Sequence, residues 1–200
     1  MKISISKQQL AGLPAAHYSG RIVVVDNPAD ADMAVDELRN ADLIGFDTET
    51  RPSFKKGQSH NVALMQLSSA DTCWLFRLNR IGLPDRLKAL LEDKDKTKIG
   101  LSTHDDFRNL RKVWDIEPAG FIELQDYATE WNIIDKSLSK LYGILFGERL
   151  SKSQRLSNWE ADQLAEAQQH YAALDALACI RIYRYLKEGR FDPEQSEYKV

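Results

Sequence analysis

The segment Leu43-Ile-Gly-Phe-Asp47-Thr-Glu49-Thr50 constrains this chain more than any other. Its first half is apolar and β-prone, so Leu43–Glu49 reads as a strand, yet that strand ends in two acids one residue apart. Alternate side chains of a strand share a face, so Asp47 and Glu49 project together while Ile44 and Phe46 enter the opposite layer. Two neighbouring carboxylates repel each other unless a cation sits between them. Oxygen-only ligands of this kind suit Mg²⁺ or Mn²⁺ rather than zinc. Taken alone, Asp-x-Glu also fits an ordinary strand end entering a solvated loop.

The surrounding pattern alternates strands and helices. Residues 1–19, broken by Gly12, Pro14 and Gly20, read as a loosely ordered lead-in. The β-branched run Ile22–Asp26 predicts a buried strand, and a helix follows over Ala31–Asn40. Beyond Glu49 a basic loop, Arg51–Gly57, leads to strands over Val62–Leu67 and Thr72–Leu78, joined hairpin-like by polar residues. A helix from Pro84 through Leu91, a short strand at Lys98–Leu101, a helix over Asp105–Trp114 and a short strand at Phe121–Leu124 come next. The remainder is helical, with Ser137–Phe146 closed by Gly147 and a long run from Gln163 to Lys187 stopped by Gly189. The expected fold is α/β, a mixed central sheet flanked by helices.

Two further segments place acids near apolar elements. In Lys98-Ile-Gly100-Leu-Ser-Thr-His104-Asp105-Asp106-Phe-Arg-Asn-Leu110, a short strand delivers acids to the opening of a helix. Asp106 shares helical spacing with Phe107, Leu110 and Val113 and can face the core rim, whereas Asp105 reads as a cap or a solvated acid. Periodicity alone does not choose between the two. In His170-Tyr171-Ala-Ala-Leu-Asp175-Ala-Leu-Ala, Tyr171 and Asp175 stack one helical turn apart among small residues. An acid in so apolar a stretch is costly unless paired, hydrogen-bonded or bound to metal.

Together these segments resemble the tyrosine-bearing branch of the DEDD exonuclease superfamily. That pattern is Asp-x-Glu on a strand, a central Asp after a Gly-containing strand, and Tyr-x-x-x-Asp on a late helix. Here it falls on Asp47 and Glu49, Asp106, and Tyr171 with Asp175, and the framing Gly100 to Asp106 to Leu110 selects Asp106 over Asp105. Phe46–Pro52, Ala63–Leu67 and Leu150–Trp159 also look like ribonuclease D and Werner-type exonuclease domains. The resemblance covers residues 20–188, leaving 1–19 as lead-in and 189–200 as a tail. It implies a ribonuclease H-like fold and a 3′-5′ exonuclease that hydrolyses terminal phosphodiester bonds and releases nucleoside 5′-monophosphates. It implies two divalent ions, Mg²⁺ or Mn²⁺, about 3.5–4 Å apart. By the same analogy Asp47 bridges both ions, Glu49 and Asp175 complete one, Asp106 serves the other, and Tyr171 orients the attacking water.

The chain departs from ribonuclease D in reading Glu160-Ala-Asp-Gln-Leu164 after Trp159, without Arg-Pro-Leu, and in ending at Val200 before further helical domains. The closer likeness is a compact Werner-like exonuclease, with DNA at least as good a substrate as RNA. The alternatives are an exoribonuclease trimming RNA 3′ ends and a non-catalytic nucleic-acid-binding scaffold of the same fold. The expected partner is single-stranded DNA or RNA with a free 3′ end. Candidate substrate contacts are Thr48, Arg51, Phe54, Lys55 and Lys56 beside the catalytic strand, with Phe54 stacking on a base. Lys152 and Arg155 form a second basic pair before Trp159, in a loop that could return toward the site.

Composition then bounds the setting. The 27 basic and 30 acidic residues give a net charge of −3, against a protein that binds nucleic acid merely by being basic. The four proposed carboxylate ligands outnumber that excess, so phosphate attraction has to be local. No apolar run reaches the roughly 18 residues of a membrane span, and no apolar stretch follows Lys2 as in a signal peptide. Two isolated cysteines, Cys73 and Cys179, point to a reducing compartment, so the expected location is the cytoplasm.

Overall fold

β-Branched and aromatic runs supply six strands, β1 (Arg21–Val25), β2 (Ile44–Thr50), β3 (Val62–Ser68), β4 (Thr72–Phe76), β5 (Lys98–Gly100) and β6 (Phe121–Glu123). They form one mixed sheet in the order β1-β4-β3-β2-β5-β6 in a computed structural model that describes residues 1–200. β2, β3 and β4 make an antiparallel meander, whereas β1 runs parallel to β4, β5 to β2 and β6 to β5. The mixed α/β sheet expected from the sequence is therefore the one observed.

Helices cover both faces because both faces of the central strands are apolar. The chain-order helices are α1 (Lys7–Gly12), α2 (Pro28–Arg39), α3 (Leu78–Ile81), α4 (Asp85–Glu92), α5 (Thr103–Leu110), α6 (Leu124–Tyr127), α7 (Leu138–Phe146) and α8 (Glu166–Lys187). On one face, Ile44 and Phe46 of β2 pack with Val35 and Leu38 of α2, Leu87 and Leu90 of α4 and Leu110 of α5. On the other, Leu64, Leu75 and Ile99 meet Leu141 of α7 and Ala172, Ala173 and Ala176 of α8. The small residues of α8 let its backbone approach the sheet. Gly45 of β2 makes the closest approach possible, since a Cβ there would lie 2.0 Å from the carbonyl oxygen of Ala176. No helix is long and apolar enough to cross a membrane.

The structure differs from the sequence reading at several points, and the strand expected over Thr72–Leu78 ends at Phe76, with Leu78 opening α3 instead. Residues 1–19 are not a loose lead-in: Ile3 and Ile5 are fully buried, and α1 carries a complete Ser6–Gln9 capping box. Main-chain bonds tie Ile3 to Asn132 and Ser4 to Tyr198, and the Asp135 carboxylate accepts from the Ile5 amide at 2.9 Å. The helix expected over Asp105–Trp114 occupies Thr103–Leu110, because the Val113 amide bonds back only three residues, to Leu110. That tighter turn rotates Val113 outward, leaving it 42% exposed rather than on the core face. The long final helix starts at Glu166, not Gln163, where the Gln168 side chain accepts from the Ala165 amide.

Candidate active site

The close approach at Gly45 sets the registry of the site. It brings α8 onto β2 so that Asp175, one residue before Ala176, faces Asp47, two residues after Gly45. Oxygens of Asp47, Glu49 and Asp175 lie within 4.8 Å of one another. Asp47 and Glu49 point toward α8 while Phe46 packs with Phe107 and Phe121 in the opposite layer, as strand alternation requires.

Asp106 arrives from that opposite layer. The α5 N-terminus is held by Glu123, whose carboxylate accepts from the Ser102 amide at 2.8 Å, the Thr103 amide at 2.7 Å and the Thr103 hydroxyl at 2.9 Å. This acid has a structural task, and it fixes the turn that carries Asp106. The Thr48 hydroxyl donates to Asp106, so Thr48 braces the fourth carboxylate from the β2 face away from Asp47 and Glu49. Asp105 is exposed and bonds Arg108 at 2.6 Å. Asp106, not Asp105, is thus the acid turned inward.

All four acids are held well above their ordinary range. Burial is the largest cause for each. The negative charge of Asp175 adds to it at Asp47, that of Asp47, Asp175 and Asp106 at Glu49, and that of Asp47 at Asp106. Four crowded, desolvated carboxylates favour protonation unless cations compensate them, and their all-oxygen donor set fits hard divalent ions. The residues present therefore fit the metal site implied by the resemblance. Tyr171 shares the site: burial, then the charges of Asp175, Glu49 and Asp47, push its phenol far above its ordinary value. It keeps its proton throughout the range where proteins function.

The flanking cations lie in two loops. Arg51 is exposed and engaged with Glu160 at 3.1 Å, an acid that also faces His60 at 3.2 Å. Lys55 and Lys56 are exposed, and Phe54 is 81% exposed. The loop after α7 comes closer. The charges of Lys152 and Arg155 favour the ionised forms of Asp175 and Glu49, respectively. This loop is pinned by fully buried Trp159, whose ring lies 6.0 Å from that of Tyr171, and by Gln168 donating to Ser157 at 2.9 Å.

A profile described as 3′-5′ exonuclease matches residues 22–189. The chain belongs to the 3′-5′ exonuclease family. Within that family, it is 34% identical over 189 residues to the bifunctional 3′-5′ exonuclease/ATP-dependent helicase WRN of Mus musculus, matching 87% of this chain and 13% of the mouse protein. It is 29% identical over 203 residues to a 3′-5′ exonuclease of Arabidopsis thaliana, covering 94% of this chain and 70% of that one. Escherichia coli RNase D, an exoribonuclease involved in structured RNA processing, superposes with a TM-score of 0.75 at 22% identity, over 84% of this chain and 44% of that chain. The likeness establishes a ribonuclease H-like exonuclease fold, as the motifs implied.

Two features beside the candidate site carry no signal in the linear sequence. Gln66 pairs across the sheet with Asp47, is fully buried, and has no partner for either amide atom. The N-terminal residues Ala15–Tyr18 border the space beside Tyr171 and Asp175. Both depend on contacts between distant segments, which neither periodicity nor motif spacing reports.

Proposed function

We propose that this protein is a divalent-cation-dependent 3′-5′ exonuclease that removes nucleoside 5′-monophosphates from a nucleic-acid strand with a free 3′ end. The observation that carries the reading is the convergence of Asp47, Glu49 and Asp175, with Asp106 alongside, in a buried setting that resists their simultaneous ionisation. Membership of the 3′-5′ exonuclease family supports the same reaction.

Asp47, Glu49 and Asp175 would hold one cation, and Asp106 with Asp47 a second. Bound cations supply Lewis-acid charge that offsets the negative charge gathering on the attacking and leaving oxygens. The chain's own residues do the rest. The Tyr171 hydroxyl, fixed as a phenol, positions the attacking water by hydrogen bond rather than taking its proton. Lys152 and Arg155 draw the phosphate toward the acids. Water adds to phosphorus and releases a proton to solvent, the bond from phosphorus to the 3′ oxygen breaks, and that oxygen takes up a proton from solvent to become the new 3′-hydroxyl of the shortened strand.

The test uses 5′-labelled single-stranded oligonucleotides of one sequence, as DNA and as RNA, with Mg²⁺ or Mn²⁺. A ladder shortening from the 3′ end is expected. It should vanish with EDTA and with Asp47→Ala, and slow with Tyr171→Phe. Undiminished digestion in EDTA would overturn the two-cation reading, and the faster of the two strands identifies the preferred nucleic acid.

A further inference from the structure

Gln66 interrupts an otherwise apolar strand. Every residue of β3 is buried, and within Val62–Leu67 only Gln66 carries a polar side chain. It is fully buried, and neither its amide nitrogen nor its amide oxygen has a hydrogen-bond partner. Such an orphaned amide destabilises the fold, whereas a methionine of similar length would fill the same space without the penalty. A strand that otherwise excludes polar groups thus retains one at a single position, and that position borders the acids.

Sheet register gives the neighbours of the amide. Residues directly opposite on paired strands share a face, so the Gln66 side chain lies between Asp47 of β2 and Leu75 of β4, in the layer under α8. Along β3 its same-face neighbours are Leu64 and Ser68. Leu64 and Leu75 offer nothing polar, and the Ser68 hydroxyl already donates to the Ser69 carbonyl at 2.8 Å. From above, α8 contributes Ala172, Ala173 and Ala176 to this layer, again without polar side-chain atoms. Among these neighbours an ionised Asp47 is the strongest acceptor, because a charged oxygen binds an N–H about twice as strongly as a neutral one.

We propose that Gln66 is a positioning residue for Asp47: its Nε2 donates to the Asp47 carboxylate when that group is ionised and holds a cation, fixing it toward Glu49 and Asp175. The inference rests on the two-cation reading of the site. A carboxylate has about four lone-pair sites, so it accepts an N–H and binds cations at once. Gln66 is shielded from water, which strengthens the bond. Thr48 braces Asp106 in the same manner from the other face of β2. The amide is therefore destabilising in the cation-free protein and ordering in the loaded one. Partners that orient a metal's ligands are worth about 10–100-fold in affinity.

Gln66→Met and Gln66→Leu remove the amide and keep most of its volume. Binding of Mn²⁺ alone, without nucleic acid, is followed by the EPR signal of the free ion. Both variants should bind Mn²⁺ about 10–100-fold more weakly than the wild type, with metal-free melting midpoints that are no lower. Leu75→Met changes the packing on the far side of Gln66 without touching the amide, and should leave Mn²⁺ affinity within twofold. In the wild-type chain, the Gln66 side-chain amide protons, followed by NMR, should move downfield as Mg²⁺ is added. That reading holds even where a variant fails to fold. Affinity within twofold of wild type in the folded Gln66 variants, an equal loss in Leu75→Met, or amide protons that Mg²⁺ leaves in place would overturn the proposal. A wild-type protein that binds no Mn²⁺ would overturn the cation reading and the part of Gln66 with it, so the wild-type titration separates the two failures.

Discussion

Glu49 carries the strongest conflict between burial and charge in the site, its carboxyl pushed up to about 10, and Asp47, Asp106 and Asp175 share it. A carboxyl whose pKa is raised in the folded state holds a proton that the unfolded chain releases above about pH 4. From there up to the raised values the folded state binds more protons, so the stability of the metal-free protein falls as pH rises. Thermal unfolding in EDTA should therefore show a midpoint that declines from about pH 5 to about pH 8. Added Mg²⁺ or Mn²⁺ should restore it, more strongly at the higher pH because the ligands must be deprotonated. Asp47→Asn should flatten the decline in EDTA. Gln66 makes a second residue-scale prediction. An unpaired buried polar group costs about 1–3 kcal/mol, so Gln66→Met should raise the unfolding midpoint of the metal-free protein in a thermal melt. A lower midpoint would show that the amide is satisfied within the site. Asp47 and Glu49 were legible from strand alternation, and Tyr171 and Asp175 from helical spacing. Asp106 needed the family likeness, since its choice over Asp105 depends on the Ser102–Thr103 turn held by Glu123.

At the scale of elements, the decisive contact is between β2 and α8. Gly45 has no side chain to hold the helix off, and a methyl group there would clash with the main chain of Ala176. Neither backbone can yield without disturbing the sheet or the helix. Gly45→Ala should destabilise the protein by about 1–3 kcal/mol through overpacking, measurable by urea unfolding. Displacing Asp175 from Asp47 should also lower kcat by about 100-fold, since misplacement near 1 Å is that costly. A variant with full activity would show that α8 does not set the acid spacing. The strands and main helices were legible because apolar periodicity dictates them. Helix ends were less so, as at Val113, where the tightening of one turn decided which way a side chain points. The approach of the loop after α7 to the acids was not legible, because it depends on buried Trp159.

Across the whole molecule, the chain ends are tied to each other and to the core. Ile3 and Ile5 are buried beneath α7 and the closing segment, and the Val200 amide bonds the Lys2 carbonyl at 2.9 Å. Truncating a buried Ile to Ala costs about 2–5 kcal/mol, so Ile5→Ala should lower the urea midpoint clearly. An unchanged midpoint would mean that the N-terminal segment is dispensable to the fold. The same segment borders the space beside Tyr171 and Asp175.

The sequence by itself determined the layered α/β fold, the strand that carries Asp47 and Glu49, and the pairs of side chains that one element holds on one face. Those features have periods of two or of one helical turn, and local chemistry enforces them. Tertiary structure alone decided how Asp106 turns inward, which basic loop approaches the acids, what lies across from Asp47, and that Ala15–Tyr18 border the space beside Tyr171. Each of these joins segments far apart in the chain, and their positions follow from packing and main-chain bonds that no local pattern encodes.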